Sequence, residues 1–238
     1  MNGLYTAASA LDSFRVRQEA IAHNLANTQT PGFKRVEVRT KTFAKTLKEA
    51  QAGLVKAEIS VDFSQGDLQH TGSPLDLAIK GDGFLAVDTP AGVRYTRAGA
   101  LRRDVDGTLV TASGETVLDQ GGGSVRLGSG PLSEVKIMAD GKVVVPGAEG
   151  GSTLRLVLLE GPGQLVHQGG SLFAPSSPDM YEVPAPEASI QQGYRERSNA
   201  EPVTELLNMI EVHRMFESAS QSIQAATRAL ERTSSEVL

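Results

Sequence analysis

The sequence predicts an α+β protein: a helix at each end, the two paired as a discontinuous coiled coil, and an antiparallel all-β domain between them. Three observations carry that expectation. Of the 25 glycines, 21 lie between Gly66 and Gly170, whereas Leu4 to Asn27 and Arg195 to Leu238 contain none, so the middle is rich in turns and the ends are free of helix breakers. Apolar residues recur with 3-4-3-4 spacing at both ends. Short β-rich runs separated by glycine-containing turns recur about every ten residues in the middle. A chain of 238 residues can bury a sizeable core. With 39% apolar residues, only 5% aromatic and no Trp, that core must be built from Leu, Val, Ile and Ala, and an aromatic-lined pocket is disfavoured.

The first helix follows Leu4, Ala7, Leu11 and Phe14, then Ile21 and Leu25 after the polar Gln18. It should end near Asn27, because Pro31 biases Thr30 away from helical geometry and Gly32 supplies a turn. At the other end, Ser198 and Asn199 offer capping side chains, Pro202 suits a first helical turn, and Glu201 and Glu205 suit the positive pole of the helix. The second seam runs Met209, Val212, Phe216, Ala219, Ile223, Ala226 and Leu230, and Leu206, Leu207 and Ile210 widen the apolar face at its start. Such stripes usually pack inside their own chain. These two are narrow and lie at opposite chain ends, and a helix of 24 residues is ~36 Å long, so each needs the other or a neighbouring chain. Leu4, Ala7, Leu11, Phe14, Ile21, Leu25 and the seven residues from Met209 to Leu230 are therefore the candidate subunit-interface residues.

Strands are expected at Leu75 to Lys80, Phe84 to Val87, Val93 to Thr96, Leu109 to Thr111, Val135 to Met138, Val143 to Val145 and Leu154 to Leu159. Gly81-Asp82-Gly83, Thr89-Pro90-Ala91-Gly92, Asp106-Gly107, Ser113-Gly114 and Asp140-Gly141 read as hairpin turns of a small sandwich or barrel. The resulting division is a helix in 1–30, an extended or partly helical connector in 31–73, a β domain in 74–190 and a second helical segment in 191–238.

Residues 1–57 carry nine Lys/Arg against four Asp/Glu, and residues 58–238 carry fourteen against twenty-four. Opposite charge on two parts of one chain suits self-association between copies. The basic residues are dispersed and lack interleaved aromatics, so no nucleic-acid partner is expected. No cysteine is present, which removes disulfides, thiolate metal sites and a Cys nucleophile. No run reaches the ~18 apolar residues of a membrane span, so no membrane insertion is expected. The uncharged Met1 to Leu11, interrupted by Asp12, does not form a cleavable signal.

No G-x-S-x-G elbow, Walker A motif or H-E-x-x-H pair is present in the sequence. His23, His70, His167 and His213 are far apart in sequence and suggest no metal site. Gly81-Asp82-Gly83-Phe84-Leu85-Ala86 has the letters of a nucleotide fingerprint but is flanked by strands, and no helix follows. The Asp104, Asp106 and Gly107 cluster lacks the glutamate of a calcium loop. No catalytic residue, cofactor or enzymatic function is expected.

The segment from His23 to Arg35 contains Asn24-Leu25-Ala26-Asn27 followed by Gly32-Phe33-Lys34. It resembles the N-terminal signature of the bacterial flagellar rod and hook proteins. Pro74 to Phe84 and Tyr95-Thr96-Arg97-Ala98-Gly99 are similar to central motifs of that family. Gln192-Gly193-Tyr194 through Ser198-Asn199, Pro202-Val203 and Met209-Ile210 resemble the start of its C-terminal helix. The resemblance spans nearly the whole chain. It implies a structural rod subunit with paired terminal helices lining the rod and an outer β domain. It also implies export through the flagellar type III apparatus, partners among other rod subunits, and a place in the periplasmic rod of the basal body. The lack of a long insertion between Arg35 and Gln65 resembles proximal-rod members, with distal-rod or hook-type members as the alternative. A secreted coiled-coil adhesin is the remaining reading outside the family. Two positions depart from the pattern: His23 stands where Asn is common, and Glu231 to Glu236 is polar where relatives are often apolar.

Overall fold

A computed structural model describes residues 2–43, 54–146 and 151–235. The chain forms two compact units. The first comprises Met1–Ala26, Val36–Asp62 and Ala200–Leu238, and the second comprises Asn27–Arg35 and Phe63–Asn199.

The first unit contains helix α1 (Asn2–Ala26), strands β1 (Val36–Phe43) and β2 (Leu54–Val61), and helix α2 (Pro202–Ser235). Helix α1 packs against α2 and against both strands. It stops where expected, with the Thr30 N–H donating to the Asn27 carbonyl and its hydroxyl to Asn27 Oδ1. Helix α2 begins at Pro202, whose missing N–H is an unused donor in a first turn. The expected cap from Asn199 is a correction. Three residues ahead of the helix, Asn199 spends its amide on Arg35 and Ser64 instead, while Glu201 accepts from the Thr204 hydroxyl.

Part of the expected connector is a hairpin. β1 and β2 pair antiparallel from Val36↔Val61 to Phe43↔Leu54. Val36, Val38 and Thr40 alternate with Glu37, Arg39 and Lys41, which is the two-residue period of a half-buried strand. The alternation is faint in the sequence because two of its β-branched positions, Thr40 and Thr42, are polar.

The second unit is antiparallel throughout. Its strands are β3 (Leu68–His70), β4 (Leu77–Lys80), β5 (Phe84–Thr89), β6 (Gly92–Thr96), β7 (Leu101–Arg103), β8 (Leu109–Thr111), β9 (Thr116–Val117), β10 (Lys136–Ile137), β11 (Val143–Val144), β12 (Leu156–Glu160), β13 (Leu165–His167), β14 (Leu172–Pro175), β15 (Tyr181–Pro184), β16 (Ser189–Gln192) and β17 (Tyr194–Glu196). The largest sheet runs β13-β14-β6-β5-β9-β8-β7, and β12 joins β5 to β15. Smaller ladders pair β10 with β11, β16 with β4 and β17 with β3. Between them lies an aliphatic core that includes Leu77, Ile79, Leu85, Leu109, Val117 and Leu154, all 0–1% exposed, as the composition requires.

Four of the five turns close hairpins, joining β5 to β6, β7 to β8, β8 to β9 and β10 to β11. Gly81-Asp82-Gly83 does not. β4 pairs with β16, whereas β5 pairs with β6, β9 and β12. The segment is therefore a corner at which the chain changes sheet. Among the described residues, no helix is long and apolar enough to cross a membrane.

Candidate functional site

The signature residues define a junction inside the second unit. Gly32 has φ +67°, and a Cβ placed there would lie 2.4 Å from the Ala98 backbone nitrogen, so both conformation and space demand glycine. Its N–H donates to the Glu196 carbonyl at 2.9 Å. This bond sets the segment that follows α1 beside the segment that precedes α2.

Phe33 is fully buried. Its ring stacks on His167 at 5.1 Å, and His167 in turn lies 4.5 Å from Phe173. Phe173 meets Phe63 and Phe84 edge-on at 5.4 and 5.9 Å. Four of the seven phenylalanines thus form one cluster, with the quadrupole-favoured edge geometry. His167 Nε2 donates to the Lys34 carbonyl at 2.9 Å, the role a carbonyl partner imposes.

Lys34, Glu196 and Arg97 form a charge centre with side chains 0–2% exposed. Lys34 Nζ donates to Glu196 Oε1 and to the Ser64 carbonyl, each at 2.6 Å. Glu196 Oε1 also accepts the Gly66 N–H at 2.9 Å, and Oε2 accepts Arg97 Nε at 3.0 Å. The rest of the Arg97 fork donates to the carbonyls of Gly83, Gly81 and Ile79. Two buried cations thus share one carboxylate, and backbone carbonyl dipoles solvate them further. Such a centre is tolerable only when every polar atom is satisfied. Arginine suits it because a planar fork can reach an acid and several carbonyls together.

The central motifs follow from the same contacts. Gly81 and Gly83 form the corner whose carbonyls Arg97 holds. Thr96 donates its hydroxyl to the Ser171 carbonyl and accepts the Ala98 N–H. Gly99 is forced, since a Cβ there would fall 1.6 Å from the Leu77 carbonyl oxygen. Asn199 completes the junction: its Oδ1 accepts the Arg35 N–H at 2.7 Å and its Nδ2 donates to the Ser64 carbonyl at 3.2 Å.

In the first unit, buried Asn24 grips one residue twice, its Nδ2 donating to the Val36 carbonyl at 2.9 Å and its Oδ1 accepting the Val36 N–H at 2.8 Å. A side-chain amide here pairs with β1 as a strand backbone would. Of the candidate interface residues, Ile21 and Val212 are buried, while Leu11, Phe14, Leu25, Met209, Phe216, Ala219 and Ile223 are half-buried. Ala226 and the motif residue Ala26 are exposed, and Asn27 is half-buried. The side chains of Leu4, Ala7 and Leu230 lie outside the described residues.

Sequence reasoning missed the roles of Arg97 and Glu196, although both fall inside quoted motifs. It also missed the aromatic cluster, because its rings come from segments far apart in the chain. His213 has an i,i+4 partner in Glu217 at 3.4 Å. Among the described residues, no group of three or more metal-binding side chains converges.

An aliphatic β unit, two terminal helices held in one unit, and a junction built from signature motifs have the makings of a structural subunit. Residues 4–34 match the family described as flagella basal body rod protein, residues 78–145 the flagellar hook protein FlgE/F/G D1 domain, and residues 191–236 the flagellar basal body rod FlgEFG protein C-terminal family. The chain is 33% identical over 226 residues to the flagellar basal-body rod protein FlgF of Caulobacter vibrioides, covering 92% of this chain and 91% of that one. It is 30% identical to FlgF of Rhizobium meliloti, covering 97% and 95%. It is 31% identical to the flagellar basal-body rod protein FlgG of Bacillus subtilis, covering 97% of each chain. The chain belongs to the flagellar basal-body rod proteins, the structural subunits of the rod.

Proposed function

We propose that the chain is a proximal-rod subunit of the FlgF type. It passes through the flagellar export apparatus, polymerises with other rod subunits through its paired terminal helices, and transmits torque across the periplasm. One observation favours this type over the distal-rod type. The match to the Rhizobium meliloti FlgF runs over 234 residues, whereas the match to the Bacillus subtilis FlgG runs over 257, longer than this chain's own 238. The FlgG relative thus carries extra sequence that this chain lacks. The distal-rod reading is sustained by the similar identity of that same match, and among the described residues no geometry favours an enzyme.

The test is genetic and structural. Deleting the gene should abolish swimming and leave basal bodies without a complete rod, and density for this chain should lie in the proximal rod of wild-type particles. Phe216→Asp puts a charge on the seam, where an unpaired charge out of water costs several kcal/mol. It should fail to restore swimming. Asp82→Ala, at an exposed corner position, should restore it. Density in the distal rod would select the FlgG type, and full rescue by Phe216→Asp would remove the seam from assembly.

A further inference from the structure

The first turns of α2 carry a second apolar stripe. Val203, Leu206, Leu207 and Ile210 follow i, i+3, i+4, i+7 spacing and are 49–63% exposed. On the neighbouring face, Glu205 and Val212 are fully buried and Met209 is half-buried. α2 therefore uses one face inside its own chain and leaves another, of four large aliphatic side chains, in water. Single exposed apolar residues need no explanation, but a contiguous row marks a surface that is covered in use.

Charge narrows the choice of cover. Residues 201–217 contain four Glu against one Arg, and Glu201 and Glu211, which flank the stripe, are exposed. A symmetric pairing of the stripe with its own copy would bring these acids against their equivalents, which is unfavourable. The strands β1 and β2 have the opposite balance, with Arg39, Lys41 and Lys56 against Glu37 and Glu58. Its register places Val38 and Ile59 side by side on one face, and Ile59 is 57% exposed.

We propose that the Val203–Ile210 stripe of one copy docks on the Ile59 face of the hairpin of a second copy. Two different patches meet, so the contact is head-to-tail and repeats without closing, the arrangement that builds an open helical polymer. The inference rests on the rod-subunit reading and names the surfaces that reading leaves unassigned.

The absence of cysteine makes a direct test simple. Full-length Leu207→Cys and Ile59→Cys proteins, the second carrying a mass tag, are oxidised separately and as a mixture, and the three possible disulfide dimers are resolved by size. The mixed dimer should dominate, and adding Leu206→Glu and Ile210→Glu to the Leu207→Cys chain should lower its yield by about tenfold or more. Circular dichroism of that chain should stay unchanged, because both positions are exposed. A dominant Leu207→Cys self-dimer, no mixed product, or a mixed product indifferent to the two glutamates each overturns the proposal. If swimming needs the gene but the mixed dimer fails, only the docking geometry is wrong. If swimming does not need the gene, the rod reading itself fails.

Discussion

Glu196 sits between two buried cations, so the three members of the centre are not equivalent. Glu196→Gln removes the carboxylate that Lys34 and Arg97 share while both stay charged, and the expected loss is about 3–5 kcal/mol, the usual cost of breaking a buried pair from one side. Lys34→Met leaves the Arg97–Glu196 pair in place and forfeits the Lys34 bonds to Glu196 and to the Ser64 carbonyl, with a smaller expected loss of about 1–3 kcal/mol because no charge is left facing an emptied partner. Urea unfolding of the full-length protein measures both. Equal losses would mean that the centre acts as hydrogen bonds alone and that its charge balance is immaterial.

Between elements, strand β6 is tied to β15 by the Tyr95 hydroxyl, which donates to Glu182 at 2.8 Å, while Arg155 holds the same carboxylate at 2.6 Å. Burial, then the hydrogen bond to Glu182 and its negative charge, push the Tyr95 phenol well above the ordinary tyrosine range. The folded chain thus prefers a neutral phenol, whereas in the unfolded chain it ionises near pH ~10. The stability linked to Tyr95 is present below that pH and declines as pH rises above it. In an absorbance titration, Tyr95→Phe should remove a component that ionises above the ordinary tyrosine range. If Tyr95→Phe removes no such component while circular dichroism reports a folded chain, the β6–β15 tie is not formed as described.

At the scale of the molecule, the second unit takes in Asn27–Arg35 as well as Phe63–Asn199. A fragment of residues 66–198 therefore lacks Phe33, Lys34 and Phe63. Its aromatic cluster is emptied of two rings, and Glu196 loses one of its cations. A fragment of residues 27–199 keeps all of these. It should be more stable than the shorter fragment by about 3 kcal/mol or more, on the scale of one large buried aromatic. Thermal melts of the two decide the point. Identical midpoints would mean that the signature segment adds nothing to the β unit.

Much of the architecture is written locally. The two terminal helices follow from apolar spacing and missing glycine, the hairpins at Pro90-Ala91, Asp106-Gly107, Ser113-Gly114 and Asp140-Gly141 from turn chemistry, and the aliphatic core from a composition poor in aromatics. These signals are short-range, because helix period and turn dihedrals are satisfied within a few residues. The motif segments were also visible as letters, but their purpose was not. Lys34 meets Glu196 across 162 positions, and no window of sequence registers which acid will face a lysine once the chain has closed. The same holds for Asn199, which has the chemistry of a cap but finds Arg35 and Ser64 first. It holds too for Gly81-Asp82-Gly83, whose letters fit a hairpin while the pairing of β4 with β16 makes it a corner. The sequence by itself determined the elements, the apolar period of the helices and the residue types of the core. Tertiary structure alone decided which charges were buried together and which apolar face of α2 was left in water, because both depend on the distance between segments that only closure of the chain brings near.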